Sequence, residues 1–196
     1  MWNYKTPGIP DEYFERNEKV PITKEEIRTI QLSKARLKPG YTVLDIGCGS
    51  GSISIEAAIQ VEKTGKVIAI DYDKNAIDLT KKNIEKFALS NVSVIHGNAK
   101  DKILELEKVD SIFIGGTGGD TKEIVELSQD RLNSGGRIVI GIILIETLYS
   151  VLNILEKLNF GSIDITQVTI SKSKKTTKGT MMLARNPVTI ISATKV

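Results

Sequence analysis

Val43-Leu44-Asp45-Ile46-Gly47-Cys48-Gly49-Ser50-Gly51-Ser52 is the stretch on which the fold turns. An apolar, β-branched run enters three alternating glycines and passes directly into a helical pattern over 50–61. That order predicts a buried strand, a tight turn and a helix whose first amides face whatever lies at the strand's end. Gly47 and Gly49 allow the turn and let a ligand approach bare backbone. The third glycine of a dinucleotide fingerprint would stand at position 52, which is Ser52. The pattern is instead D-x-G-x-G-x-G, with Asp45 at the carboxyl end of the strand. A carboxylate there repels a pyrophosphate and favours a ligand carrying an ammonium group.

Outward from this turn the chain alternates. Strands are expected over 41–46, 66–70, 92–96, 110–114 and 136–145. Helices are expected over 50–61, 74–87, around 102–106, over 121–132 and over 147–158. Strand, helix, strand at this spacing means right-handed crossovers and a parallel sheet covered by helices on both faces. After Gly161 the pattern changes to strands over 163–170, 180–184 and 188–193, an antiparallel extension of the sheet. Residues 171–178, rich in Lys, Ser and Thr, read as a solvated hairpin loop. At the other end, 1–22 holds Pro7, Pro10 and Pro21 and reads as an extended arm over one domain spanning 1–196. Thr23-Lys24-Glu25-Glu26 has the form of a capping box opening a helix with Ile27, Ile30, Gln31 and Lys34. Lys38-Pro39-Gly40 ends that helix.

Composition narrows the class. Of 196 residues, 40% are hydrophobic and 26% charged, which excludes a disordered tail, a collagen or a coiled coil. No apolar run nears the length of a membrane span, because 138–145 is broken by Gly141. No basic segment followed by an apolar core opens the chain, so secretion is not expected. The single cysteine, Cys48, forms neither an internal disulfide nor a zinc site, which suits a cytoplasmic protein. Lys and Arg number 27 against 24 Asp and Glu, and a charge of +3 is too small to demand nucleic acid.

Three strand ends converge on one ligand. Asp45 closes the first. Asp71 closes the second, where an acid can accept both hydroxyls of a ribose. His96-Gly97-Asn98-Ala99 closes the third, where a polar side chain and backbone amides can read an adenine edge. An adenosine with an ammonium group is S-adenosyl-L-methionine, and methyl transfer follows in preference to hydride transfer. From about 41 to 193 the chain resembles the class I S-adenosylmethionine-dependent methyltransferases. The resemblance implies a Rossmann-like, seven-stranded α/β sheet of order 3-2-1-4-5-7-6 in which the seventh strand alone is antiparallel.

After the fourth strand, Ile114-Gly115-Gly116-Thr117-Gly118-Gly119-Asp120 lacks the Pro-Pro-aromatic clamp that amino-directed methyltransferases use on a flat base. Two readings stay open. Gly115, Gly116, Gly118 and Gly119 form an anion-binding nest for a substrate carboxylate, or they form a turn into a helix capped by Asp120. Further segments carry a narrower resemblance: Ile9-Pro10-Asp11-Glu12-Tyr13-Phe14, Val20-Pro21-Ile22-Thr23-Lys24-Glu25-Glu26-Ile27-Arg28, 45–51, 115–119 and Gly179-Thr180-Met181-Met182. Together they resemble the C15-methylating, C12-decarboxylating methyltransferases of the anaerobic cobalamin pathway. That implies cobalt-precorrin-6B as substrate, cobalt-precorrin-7 as product and a homotetramer. It also implies cofactor contacts from Thr23, from Gly47, Cys48, Gly49, Ser50 and Gly51, from Asp71 and from Ala99. Many relatives carry Asp where this chain has Asn98, and Asn can accept the same bond.

Such a substrate bears many carboxylates, so Arg28, Arg185, Lys172, Lys174, Lys175 and Lys178 are candidates for its site, with a structural ion pair (Arg185) or a solvated hairpin (the lysines) as the competing readings. His96 reads as a hydrogen-bonded strand end rather than a general base, and Cys48 as a small side chain rather than a nucleophile. Alternation puts at least one of Met181 and Met182 in the core. Displacement at a sulfonium methyl needs alignment and no metal. Two rivals remain, an RNA (tRNA) methyltransferase using the lysine cluster and a non-catalytic cofactor-binding partner subunit.

Overall fold

Apolar β-branched strands alternate with amphipathic helices in the computed structural model, which describes residues 2–196. A short 3₁₀ turn, Asp11–Tyr13, precedes α1 (Glu25–Ala35), and then β1 (Thr42–Ile46), α2 (Ser52–Gln60), β2 (Lys66–Asp71), α3 (Lys74–Lys86), β3 (Val92–His96) and α4 (Ala99–Leu104) follow. The second half adds β4 (Val109–Ile114), α5 (Thr121–Arg131), β5 (Leu132–Ile142), α6 (Ile145–Lys157), β6 (Gly161–Val168), β7 (Ser171–Thr176), β8 (Gly179–Ala184) and β9 (Val188–Thr194). The main sheet runs β3-β2-β1-β4-β5-β9-β6, parallel from β3 to β5, with β9 antiparallel to both its neighbours. This is the expected topology, β9 taking the place of the seventh strand.

The central strands are buried on both faces, which is why they read as unbroken apolar runs. Leu44, Ile46, Ile68, Ile70, Ile112 and Ile114 point into one layer. Val43, Val67, Phe113 and Val139 point into the other, with Ile27 and Leu32 of α1. Among the described residues no helix is long and apolar enough to cross a membrane.

Two expectations fail at the ends of the sheet. Residues 171–176 are a strand rather than a loop, and β7 pairs with β8 in a separate two-stranded ribbon. Every residue of both strands is exposed. Lys172, Lys174 and Lys175 leave β7 without an apolar face, so it has no place in a buried sheet, and β8 leaves the core with it. Met181 and Met182 are therefore both on the surface, at 47% and 62% exposure.

The arm is docked by buried charge. Arg28 has no exposed surface, and its Nε donates to Glu56 Oε1 on α2 at 2.6 Å. The same guanidinium donates to Asp11 and to the carbonyls of Thr23 and Ile9. Glu56 in turn accepts the amides of Gly8 at 2.6 Å and Ile9 at 2.9 Å. Arg28 is thus a clasp for the arm and no substrate contact. The capping box does not form either, since α1 starts after Lys24 without a side-chain cap. Asp11 supplies the acceptor instead, taking the Glu25 amide at 3.0 Å, while Glu26 turns to Lys172 at 2.5 Å.

Candidate functional site

At the carboxyl ends of β1, β2, β4 and β5 lies a cleft in two lobes that share Gly47, Gly116 and Thr117. Open α/β sheets bind ligands at the carboxyl ends of their strands where strand order reverses, which here is beside β1. The smaller lobe, about 270 Å³, is lined by Asp71, Tyr72, Gly97, Asn98 and Ala99. The larger, about 470 Å³, is lined by Thr23, Asp45, Cys48, Gly49 and an apolar lip that includes Ile143 and Leu144. Gly47 makes the junction possible: its φ of +71° suits glycine, and a Cβ there would collide with the Gly116 carbonyl.

The amides of the turn itself, from Gly47 to Gly51, are not free. Gly47 and Cys48 both donate to the Ile70 carbonyl, at 2.9 and 3.1 Å, and Gly51 donates to Cys48 at 2.8 Å. Ser50 donates to the Pro21 carbonyl of the arm at 3.2 Å, and Gly49 to Asp71 Oδ2 at 2.9 Å. A phosphate cradle needs such amides pointing outward. This turn presents carboxylates instead, which suits a cationic ligand.

Asp45 is 1% exposed and accepts the Ser54 hydroxyl. Burial pushes its carboxyl up to about 6; the Ser54 hydroxyl opposes this and the nearby Asp71 charge adds to it. Asp71 accepts one backbone amide on each oxygen, Gly49 and, at 2.9 Å, Asp73. A carboxylate has about four acceptor sites, so capacity remains for two hydroxyls. Asn98 caps α4, its Oδ1 taking the Lys100 amide at 2.9 Å, and still borders the smaller lobe beside Ala99. Cys48 is buried, 3.5 Å from the Thr80 hydroxyl. Burial, with Asp45 and Asp71 nearby, drives its thiol far above the usual range, so it is no nucleophile.

The structure thus brings Thr23, Asp45, Gly47, Cys48, Gly49, Asp71, Asn98 and Ala99 to one cleft, with Gly115, Gly116, Gly118 and Gly119 on its other wall. Ser50 and Gly51 line neither lobe. They sit behind the loop, where Asn83 Nδ2 donates to the Ser50 carbonyl at 3.0 Å and Thr80 packs on Gly51. Asp120 makes no side-chain cap on α5 and pairs with Lys100 at 3.2 Å. The Gly115 amide donates to Ile46 at 2.9 Å, whereas those of Gly116, Gly118 and Gly119 have no acceptor among the described residues.

Arg185 lies outside the cleft lining and pairs with Glu26 at 3.3 Å. Lys172 joins the same acid, and Lys174, Lys175 and Lys178 project on the ribbon. His96 is exposed, Nε2 3.0 Å from the Tyr72 carbonyl. Two features escaped the sequence reading. One is the lip after β5, where Ile143 and Leu144 are 68% and 63% exposed. The other is Gln31, a polar residue on the Ile27/Gln31/Ala35 face that α1 buries; that interruption of an apolar stripe was the available signal.

Comparison with known proteins agrees with this geometry. The family model described as a precorrin methyltransferase domain matches residues 12–195. A protein of Saccharolobus solfataricus named probable cobalt-precorrin-6B C(15)-methyltransferase (decarboxylating) is 51% identical over 99% of this chain and 98% of its own length. The crystal structure of precorrin-6Y C5,15-methyltransferase from Geobacter metallireducens superposes with a TM-score of 0.89 at 34% identity, covering 99% of this chain and all of that one. That of precorrin 8W decarboxylase from Methanobacterium thermoautotrophicum gives 0.88 at 34% identity, covering 96% and 100%. Matched by that family model over nearly its whole length, and half identical to a relative of the same size, this chain belongs to the precorrin methyltransferase family.

Proposed function

We propose that this protein methylates C15 of cobalt-precorrin-6B from S-adenosyl-L-methionine and releases the C12 acetate carboxyl as carbon dioxide, giving cobalt-precorrin-7. The observation that carries the reading is a glycine turn whose amides are satisfied internally while Asp45 and Asp71 face the cleft. When bound, S-adenosylmethionine supplies an electrophilic methyl group on a sulfonium. Asp71 holds the ribose hydroxyls, Asn98 and Ala99 border the adenine, and Asp45 and Thr23 face the aminoacyl end. The smaller lobe thus serves the nucleoside, and the larger one takes the aminoacyl end and, toward its apolar lip, the acceptor.

Alignment of acceptor and methyl supplies most of the rate in a direct displacement, so the protein's work is holding both. The Ile143–Leu144 lip gives a flat macrocycle an apolar seat, and the unmatched amides of Gly116 and Gly119, which line the same lobe, offer donors to one of its carboxylates. A dry pocket also favours loss of a carboxylate as neutral carbon dioxide. An RNA methyltransferase is less well supported, because Lys172 is already committed to Glu26.

The protein is cytoplasmic and a homotetramer in this reading. Support for self-association comes from the β7–β8 ribbon, since an isolated two-stranded ribbon is marginal in water and this one exposes Met181, Met182 and Leu183. Incubation with cobalt-precorrin-6B and methyl-labelled cofactor, followed by mass spectrometry, tests the function. Gain of the labelled methyl with loss of carbon dioxide is expected. Methyl gain alone would detach decarboxylation, and no change with cofactor bound would overturn the assignment.

A further inference from the structure

Gln31 is an orphan in the wall of the larger lobe. Its side chain is 4% exposed, and its Oε1 is sealed from solvent without a hydrogen-bond partner. Buried amides are almost always satisfied, so an unsatisfied one in a cleft wall calls for an explanation. The neighbouring strand is shaped around it: a Cβ on Gly141 of β5 would collide with Gln31 Nε2. Glycine inside a strand marks just such a close approach. Of the two amide atoms only Oε1 is sealed; Nε2 has no acceptor among the described residues and lies against Gly141 in the lining, so it is the donor left for a ligand in the lobe.

Resting on the function proposed above, we infer that Gln31 is a specificity-determining residue whose side-chain amide donates to a peripheral carboxylate arm of the tetrapyrrole. Its contact with β5 separates it from the nucleoside. Gly141 lies on β5, three strand positions from β2 and Asp71, which is about 14 Å at ordinary strand spacing. The surroundings favour a neutral donor, since Ile27, Ile142 and Leu144 line the same lobe and a cation buried there would lose its hydration. Lys24, the cation in that lining among the described residues, already faces Asp11 at 3.5 Å.

Gln31→Leu keeps the volume and removes the donor. The expected result is a tetrapyrrole KM raised about tenfold or more, the loss typical of a hydrogen bond to a charged group. Cofactor affinity, measured by calorimetry, should stay unchanged. Melting temperature should hold or rise, because the orphan oxygen is gone; a merely structural glutamine would not move KM. Gly141→Ala gives an independent route, displacing the amide with its chemistry intact, and should raise KM in the same direction. Unaltered KM in both variants, while the wild-type enzyme converts cobalt-precorrin-6B, overturns the role of Gln31 alone. A parallel loss of cofactor affinity overturns it as well, by moving Gln31 to the cofactor. A wild-type protein that neither binds nor converts the tetrapyrrole overturns both this inference and the function beneath it.

Discussion

The Gly49 amide donates to Asp71 Oδ2 at 2.9 Å, tying the turn after β1 to the last residue of β2. One carboxylate therefore shapes the glycine loop and borders the smaller lobe, so loop geometry and ligand contact cannot be separated at this residue.

Asp71→Ala should weaken S-adenosylmethionine binding by about 1–3 kcal/mol, the range for hydrogen bonds to a charged group. It should also lower the melting temperature, because the amides of Gly49 and Asp73 lose their acceptors. Calorimetric titration reads the first effect and a thermal melt the second. Unchanged affinity would show that the ribose lies elsewhere.

Asp45 sets a pH dependence whose sign follows from its raised carboxyl, about 6 against an ordinary value of 3.8. The folded protein holds that proton more tightly than the unfolded chain, so stability from this group is fully present below pH ~4. It is lost as pH rises to about 6 and is constant above. Asp45→Asn should therefore stabilise the apoprotein at neutral pH by up to about 3 kcal/mol, while cofactor affinity falls through loss of the negative charge. Melts from acid to neutral pH should show the variant's advantage growing across that window. An advantage that shrank with rising pH would sink the argument.

Arg28→Ala leaves Glu56 charged, buried and unpaired, a change that typically costs about 3–5 kcal/mol. Chemical denaturation should register that loss, and proteolysis should begin in the arm, which Arg28 and Glu56 hold through Gly8 and Ile9. A loss under about 1 kcal/mol would mean the network is solvated in the apoprotein.

Replacing Met181 and Met182 together by Lys puts charge on both faces of the ribbon, since neighbouring residues of a strand point to opposite sides. Sedimentation should then show smaller species, with secondary structure retained because neither side chain enters the core. An unchanged assembly would place the subunit contacts on another surface.

The sheet and its glycine turn were legible because they rest on local patterns. Strands buried on both faces must be continuously apolar, and helices between them must show a single apolar stripe. Asp45 and Asp71 were legible because each stands at the carboxyl end of an inner strand, where the cleft opens. Capping of α1 was not: Thr23 and Glu26 have the right spacing, but Asp11 arrives from the arm to take the Glu25 amide. Arg28 misled for the same reason, since nothing in its neighbourhood along the chain shows that Glu56 will meet it inside the fold.

What the sequence determined by itself is the order of elements, the position of the turn after β1 and the carboxylates at the strand ends, because these follow from periodicity and from residues close together in the chain. Only the tertiary structure decided that the turn's amides face inward, that β7 and β8 leave the main sheet, and that Gln31 stands unpartnered against Gly141. Each depends on which group, many residues away, arrives first to satisfy a hydrogen bond or cover a surface, and such competition is settled in space rather than along the chain.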